Sequence, residues 1–528
     1  MRNQKRIIAA LLSAVMIVGA ASCGGGRGQG NATGGNTTTE GSKPVTGEDL
    51  IDPDEKVDYN EMANIDKIDT ANEEGAGTLY ESGKMAGEVK AFCYYNIEDS
   101  AKDISEIFAT RFGGVLKTEI CSSSLEYFSE LGKLITSGLS PDLVRYDWAA
   151  YPDSISKGIY TPLDEWLNID SPLWSDVRDA IESYEFKGKH YYFPERVMPN
   201  FVMLYNTASI EKANLEDPMD LYFRNEWTWD KFEDMLYTWD SISDDYIPYT
   251  GGSWSSMMFI NTTGSKIIDI TDNDIINNLK TENVMRTMNW LEKLNREGLT
   301  GTGYVHPQDA FADGNLLFLS MGCDWGFESA QKCLFAKKLE GEIRFVPFPR
   351  DPQADKYYIP ADTFGYMVPS GAQNVQGAVQ WILSGRINYT DPEVIEAKRQ
   401  ESLSTDPVYY SKCPNKDCGF KCEGTEHEDS PTCPQCGTER KTKFKVTFTE
   451  DQYQIYNDLT DPEKFGLVFD CAVGFKDDVK HLFVETDDTI LDSPLFGKDE
   501  LVTYTSQLEE KYNVFETYLD EYRAILKQ

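Results

Sequence analysis

The sequence predicts an α/β protein whose main sheet is mostly parallel and covered by helices on both faces. Three observations carry this. Strand-like and helix-like periods alternate along the chain, the alternation begins only near Glu88, and roughly 440 residues follow it, enough for two or three domains. A fourth feature, five of the chain's eleven cysteines gathered between Cys413 and Cys436, adds a small module of its own.

Taken in order, "EVKAFCYY" (88–95) reads as a strand and "DSAKDISEIFATRF" (99–112) as an amphipathic helix. "VLKTEI" (115–120) is a strand, and "LEYFSELGKLI" (125–135) is a helix with Leu125, Phe128, Leu131 and Ile135 on one face. "DLVRYD" (142–147) is the next strand. A βαβαβ run of this kind builds a parallel sheet, and ligands of open parallel sheets sit beyond the carboxyl ends of the strands. Here those ends carry Tyr94, Tyr95, Asp147 and Trp148.

Ahead of this body, Arg2, Lys5 and Arg6 precede an apolar run from Ile7 to Gly19, followed by Ala20, Ala21, Ser22 and Cys23. This is the pattern of an export signal, and its run is shorter than the roughly 20 residues that a spanning helix needs. Residues 23–87 are rich in Gly, Thr, Asn and acidic residues, cannot offset their conformational entropy by burial, and read as a flexible tether. The 50 Lys plus Arg against 88 Asp plus Glu give a formal net charge of −38, so nucleic acid and anionic lipid surfaces are poor partners.

Ala20-Ala21-Ser22-Cys23 resembles the bacterial lipobox, with Ala20 where Leu is usual; the resemblance implies lipidation at Cys23 and removal of residues 1–22. A second resemblance covers roughly residues 88–390. In order, "GLSPDLVRYDW" (138–148), "GIYTPLDEWL" (158–167), "FKGKHYYFPE" (186–195), "FVMLYNTASIEKANLEDP" (201–218), "WTWDKFEDML" (227–236), "FADGNLLFLSMGCDWGF" (311–327), "IRFVPFP" (343–349) and "TFGYMVPSGAQNVQGAVQWI" (363–382) resemble the extracellular solute-binding proteins of sugar ABC importers, the family that includes maltose-binding protein.

The resemblance implies a two-lobed periplasmic-binding-protein-like fold with a hinge, crossed near 194–205 and again near 346–349. Lobe A would take residues 88–198 and 347–390, and lobe B residues 199–346, 391–408 and 446–528. It further implies a monomer anchored by lipid to the outer face of the cytoplasmic membrane, an oligosaccharide ligand and ABC permease subunits as partners. A surface glycan-binding or sensory lipoprotein uncoupled from transport is the alternative.

Pyranose rings stack on aromatic rings, and their hydroxyls want carboxylates. Candidate ligand-binding residues are therefore Tyr95, Asp147, Trp148, Glu195, Trp254, Asp324 and Trp325, the last aligning with the stacking aromatic of the resembled family. Trp227, Trp229, Phe232, Trp239 and Trp290 lie at helical spacing and are expected in the core. His190, His306, His427 and His481 are scattered, and the chain has no GxSxG, no HExxH and no phosphate-cradling glycine loop, so no catalysis is read.

Cys413 and Cys418 enclose four residues, Cys433 and Cys436 enclose two, and the second pair has the Cys-Pro-x-Cys-Gly form. Two knuckles about fifteen residues apart resemble a zinc ribbon with four-sulfur coordination of zinc or iron. Cys422 and His427 are spare candidates, Cys418 and Cys422 with the second pair being the alternative ligand set, and disulfides are the competing reading in an exported chain. The flanks "PVYYSK" and "ERKTKFKVTF" read as a hairpin, making 409–445 an inserted module. Cys93, Cys121, Cys323, Cys333 and Cys471 stand apart as buried thiols.

Overall fold

The computed structural model describes residues 77–252, 254–271, 274–301, 314–337, 341–403, 408–410, 413, 415, 418, 432–440, 442–444, 446–475, 477–483, 489–497 and 502–527. The export signal, Cys23, most of the 23–87 tether, His306, Cys422 and His427 lie outside these residues. No helix among the described residues is long and apolar enough to cross a membrane.

The body opens with β1 (Gly87–Cys93), α1 (Lys102–Phe112), β2 (Gly114–Ile120), α2 (Tyr127–Thr136) and β3 (Leu143–Arg145). β1 runs parallel to β2, from Gly87 against Gly114 to Cys93 against Ile120, and parallel to β3 on its other edge. This is the βαβαβ unit expected from the periods. α1 buries Ile104, Ile107, Phe108 and Phe112, one apolar stripe, and stops at Gly113, whose φ of 59° suits a left-handed cap. α2 starts two residues later than the sequence suggests, behind a short 3₁₀ turn at Ser124–Glu126.

β4 (Phe193–Pro199) belongs to the first sheet and β5 (Phe201–Asn206) to a second, with only Asn200 between them. The second lobe then adds α3 (Trp229–Asp240), β6 (Ile247–Gly251), α4 (Ser255–Asn261), a hairpin of β7 (Ile268–Ile270) and β8 (Ile275–Asn277), and α5 (Glu282–Arg296). β9 (Leu316–Gly322), α6 (Cys323–Lys337) and β10 (Ile343–Val346) complete it. Its sheet order is β10-β5-β9-β6, with β5 antiparallel to both neighbours and β6 parallel to β9. Trp227, Trp229, Phe232 and Trp239 are buried there, and Trp290 packs flat on Trp229 with centroids 4.5 Å apart.

The chain returns in β11 (Tyr358–Met367), which lies antiparallel to both β3 and β4, and continues into α7 (Val375–Thr390) and α8 (Pro392–Ser402). α7 is buried on almost every side. Next come a hairpin of β12 (Val408–Tyr410) and β13 (Thr442–Phe444), then α9 (Glu450–Asp458), β14 (Gly466–Val468), α10 (Asp477–Phe483) and α11 (Tyr504–Leu526). The hairpin is rooted on the second lobe: Phe448 donates its N–H to Ser402 O and stacks on Phe327.

The C-terminal stretch departs from its expected place in lobe B alone. β14 pairs parallel with the start of β11 and so joins the first sheet, while α11 packs on α5 and β8 of the second lobe. Near its end α11 also reaches the first lobe, where Tyr522 Oη donates to Asp153 Oδ1 at 2.6 Å. The run "GLV" is too short to announce a strand, and its partner lies about a hundred residues earlier, so no local period marks it.

Candidate functional site

The carboxyl ends of β1 and β3 place Tyr94, Tyr95, Arg145, Asp147 and Trp148 along one rim of the first sheet. The Tyr94 and Tyr95 rings meet edge to face at 5.4 Å, and the Arg145 guanidinium carbon lies 5.6 and 5.8 Å from their centroids. Arg145 Nη1 also donates to Tyr94 Oη. Asp147 caps the turn Trp148–Ala150 by accepting from Ala149 N at 3.2 Å. Its enclosure pushes the carboxyl's pKa up, against the opposing pull of that N–H, Arg145 and Lys480.

Trp148 leaves this rim and meets the second lobe. Its ring stands at 87° to that of Trp254, centroids 5.9 Å apart, and Trp254 lies parallel to Phe201 at 6.5 Å. Lys480, on α10, holds its ammonium 4.3 Å from the Trp148 centroid. Trp254 sits between β6 and α4, after a glycine pair that the packing requires. A Cβ on Gly251 would fall 2.0 Å from Ser320 Oγ, and one on Gly252 would fall 3.2 Å from the Phe201 ring.

The site continues along the floor of the first sheet. Phe364, on β11, has Arg145 of β3 on one side at 5.4 Å and Arg196 of β4 on the other at 5.6 Å. Arg196 in turn lies 5.0 Å from the Tyr389 centroid on α7 and hydrogen-bonds Tyr456 of α9. The Asp324 carboxylate, exposed in the first turn of α6, acts on Arg196, Tyr389 and Tyr456. Trp325 beside it is 44% exposed.

The structure therefore brings Tyr95, Asp147, Trp148 and Trp254 into one neighbourhood and puts Asp324 and Trp325 at its Arg196 end. Glu195 lies elsewhere. β4 bulges against β11 here, with Pro194 opposite Gly365 and Arg196 opposite Phe364, so Glu195 is the extra residue; Arg196 lies along the Phe364 ring, whereas the Glu195 side chain packs against α7. Glu195 has no exposed surface, neither carboxylate oxygen has a hydrogen-bond partner among the described residues, and a Cβ on Gly385 of α7 would lie 2.0 Å from its Oε1. Burial pushes its pKa up to about 8, against Arg196, Arg386 and Lys398. Sequence reasoning missed Arg145, Arg196, Phe201, Phe364, Tyr389 and Lys480.

A separate cluster occupies the insert. The ligand atoms of Cys413, Cys418, Cys433 and Cys436 all lie within 4.8 Å of one another, with Cys413 Sγ 3.5 Å from Cys436 Sγ and Cys418 Sγ 3.6 Å from Cys433 Sγ. A tetrahedron with metal–sulfur bonds of about 2.3 Å has sulfurs about 3.8 Å apart, so the donor set fits one thiophilic ion. The second knuckle turns through Gly437, φ 69°, with Gly437 N donating to Cys433 O at 2.8 Å. Hydrogen bonds from the Thr438 hydroxyl and backbone hold the Cys436 pKa down to about 6, favouring the thiolate a metal needs.

Against known proteins, the family model for bacterial extracellular solute-binding proteins matches residues 107–386. No curated protein sequence matches the chain at a significant level. Among solved structures, the galacto-N-biose/lacto-N-biose I-binding protein of a Bifidobacterium longum ABC transporter, in complex with lacto-N-biose, is similar at TM-score 0.53 and 12% identity, over 84% of this chain and 98% of that one. RafE from Streptococcus pneumoniae is similar at 0.51 and 13%, over 83% and 100%. An ABC transporter solute-binding protein from Thermotoga lettingae, bound with α-D-tagatose, is similar at 0.50 and 15%, over 82% and 100%.

Proposed function

This chain belongs to the bacterial extracellular solute-binding proteins, and from that premise we propose that it binds an oligosaccharide between its lobes and delivers it to the permease of an ABC importer. It is a binding protein and not an enzyme. The observation that supports the ligand class best is the meeting of Trp148, from the rim of one sheet, with Trp254 and Phe201 from the other lobe. Such rings accept the apolar C–H faces of pyranoses, and Asp147, Arg145 and Lys480 around them offer acceptors and donors for hydroxyls.

Trp148 and Trp254 are in edge contact, so a sugar ring enters between them only when the lobes part. Asn200 and the 347–357 connection are the natural hinges, being the links between the sheets, and closure over ligand gives the permease one combined surface. In this reading lobe A is 88–198 with 347–390, lobe B takes most of the rest, Cys23 carries the lipid, and the tether holds the body off the membrane. An oligosaccharide panel screened by thermal shift should contain at least one ligand that raises the melting temperature. At about 100 times the dissociation constant the added stability is roughly 2.7 kcal/mol. Shifts with peptides or amino acids and with no saccharide would reject the ligand class.

The four-cysteine cluster is read as a structural site for zinc, or else iron, because a module this small gains folding free energy from the metal. The purified chain should carry about one such ion, measured by plasma mass spectrometry. Changing Cys433 and Cys436 to Ser should abolish it and leave sugar affinity intact. Two disulfides among Cys413, Cys418, Cys433 and Cys436 with no metal would overturn the reading.

A further inference from the structure

Carboxylates outnumber cations 88 to 50 in this chain, yet three cations, Arg145, Arg196 and Lys480, converge on the floor and rim of the cleft. We propose that the solute carries an anionic group, a carboxylate or sulfate ester on the sugar, and that Arg196, with Arg145 across the Phe364 ring, receives it. The proposal rests on the saccharide reading above and adds the charge class of the ligand.

Arg196 is the informative residue. Its guanidinium is held by ring faces, Phe364 on one side and Tyr389 on the other, and not by a carboxylate. Among the described residues it forms no ion pair, and its enclosed Nε–H has no acceptor. A half-buried guanidinium without a counter-ion is costly, and its planar fork of N–H donors, one of them shared with Tyr456, matches a carboxylate or a sulfate. A neutral hydroxyl would satisfy one N–H but leave the charge uncompensated.

The acidic groups facing this region are Asp147, Asp324, Asp362 and Glu195. Glu195 packs against α7 at Gly385, Asp147 accepts from Ala149 N and Asp362 from Thr363 N, and none of the three forms an ion pair with Arg196 among the described residues. Asp324 belongs to the opposite lobe and acts on Arg196 from beyond ion-pair distance. The position most in need of negative charge is thus the gap between the lobes, where the solute is expected.

Titration calorimetry on the full chain distinguishes the cases, using oligogalacturonides, sulfated oligosaccharides, and neutral or carboxyl-reduced oligosaccharides of matching length. At least one acidic series should bind about tenfold or more tighter than its neutral counterpart, and the gap should narrow as salt rises from about 50 mM to about 500 mM. Whichever series binds identifies carboxylate or sulfate. Arg196→Gln should lower the acidic-to-neutral affinity ratio of the same protein to within about twofold of one, whatever happens to either affinity alone, and Arg196→Lys should restore part of that ratio. The carboxyl-reduced ligand makes the same test on the parent protein should the variant fail to fold. Neutral sugars binding as tightly as acidic ones would overturn this inference and leave the saccharide reading standing, whereas no binding by any saccharide would overturn both.

Discussion

Glu195→Gln is expected to leave the protein more stable than the parent above about pH 8, with the advantage gone near pH 4.5. The Glu195 carboxyl is fully enclosed, has no hydrogen-bond partner among the described residues, and lies against the backbone of α7 at Gly385. Burial raises its folded pKa from 4.5 to about 8, so the folded state keeps a proton that the unfolded chain releases. Stability is therefore highest below the unfolded pKa, falls as pH rises through the interval between the two values, and levels off above the folded one. The full drop is up to roughly 5 kcal/mol. Arg196, Arg386 and Lys398 are the cations that act on it, each opposing the rise. Gln keeps the shape and removes the titration. Denaturant unfolding of both proteins at several pH values measures the effect. Parallel stability curves would show that Glu195 escapes burial or finds a partner in solution.

The second large effect concerns the aromatic cluster. Trp254→Ala and Trp148→Ala should each weaken saccharide binding by about 1–3 kcal/mol, or roughly 5- to 150-fold in Kd, because each removes a stacking face at the point where the lobes meet. Both rings are only half-buried, so the fold should tolerate the change. Trp227→Ala is the contrast. That ring has no exposed surface and donates to Pro347 O at 2.8 Å, so its loss should cost about 3–5 kcal/mol of stability. Trp325→Ala should cost little stability, given its exposure, and is expected to lower affinity over the same range as Trp254→Ala. Unchanged affinity would make Trp325 an ordinary surface residue.

Much of this was legible in the sequence where the signal is local. The 3.6 and 2 periods placed β1 to β3 and the helices between them, and cysteine spacing alone picked the four sulfurs that the structure gathers. The binding floor was not legible, because it is assembled from residues far apart in the chain. Phe364 stands more than 160 residues from its neighbour Arg196, and Lys480 more than 300 from Trp148. No window of sequence contains both partners. Glu195 marks a different limit: a bulge of β4 against β11 decides how Glu195 and Arg196 are placed, and such an irregularity is set by the partner strand, far off in sequence.

A crystal structure of the chain with a saccharide found by the thermal-shift panel tests the central claim most directly. A sugar ring is expected between Trp148 and Trp254, over Asp147 and within reach of Arg145, with the lobes rotated about Asn200 and the 347–357 connection to admit it. Density for the sugar in another hollow, such as the one lined by Asp179, Glu182, Ser183, Lys266 and Ile268, with Trp148 and Trp254 still in contact, would contradict it.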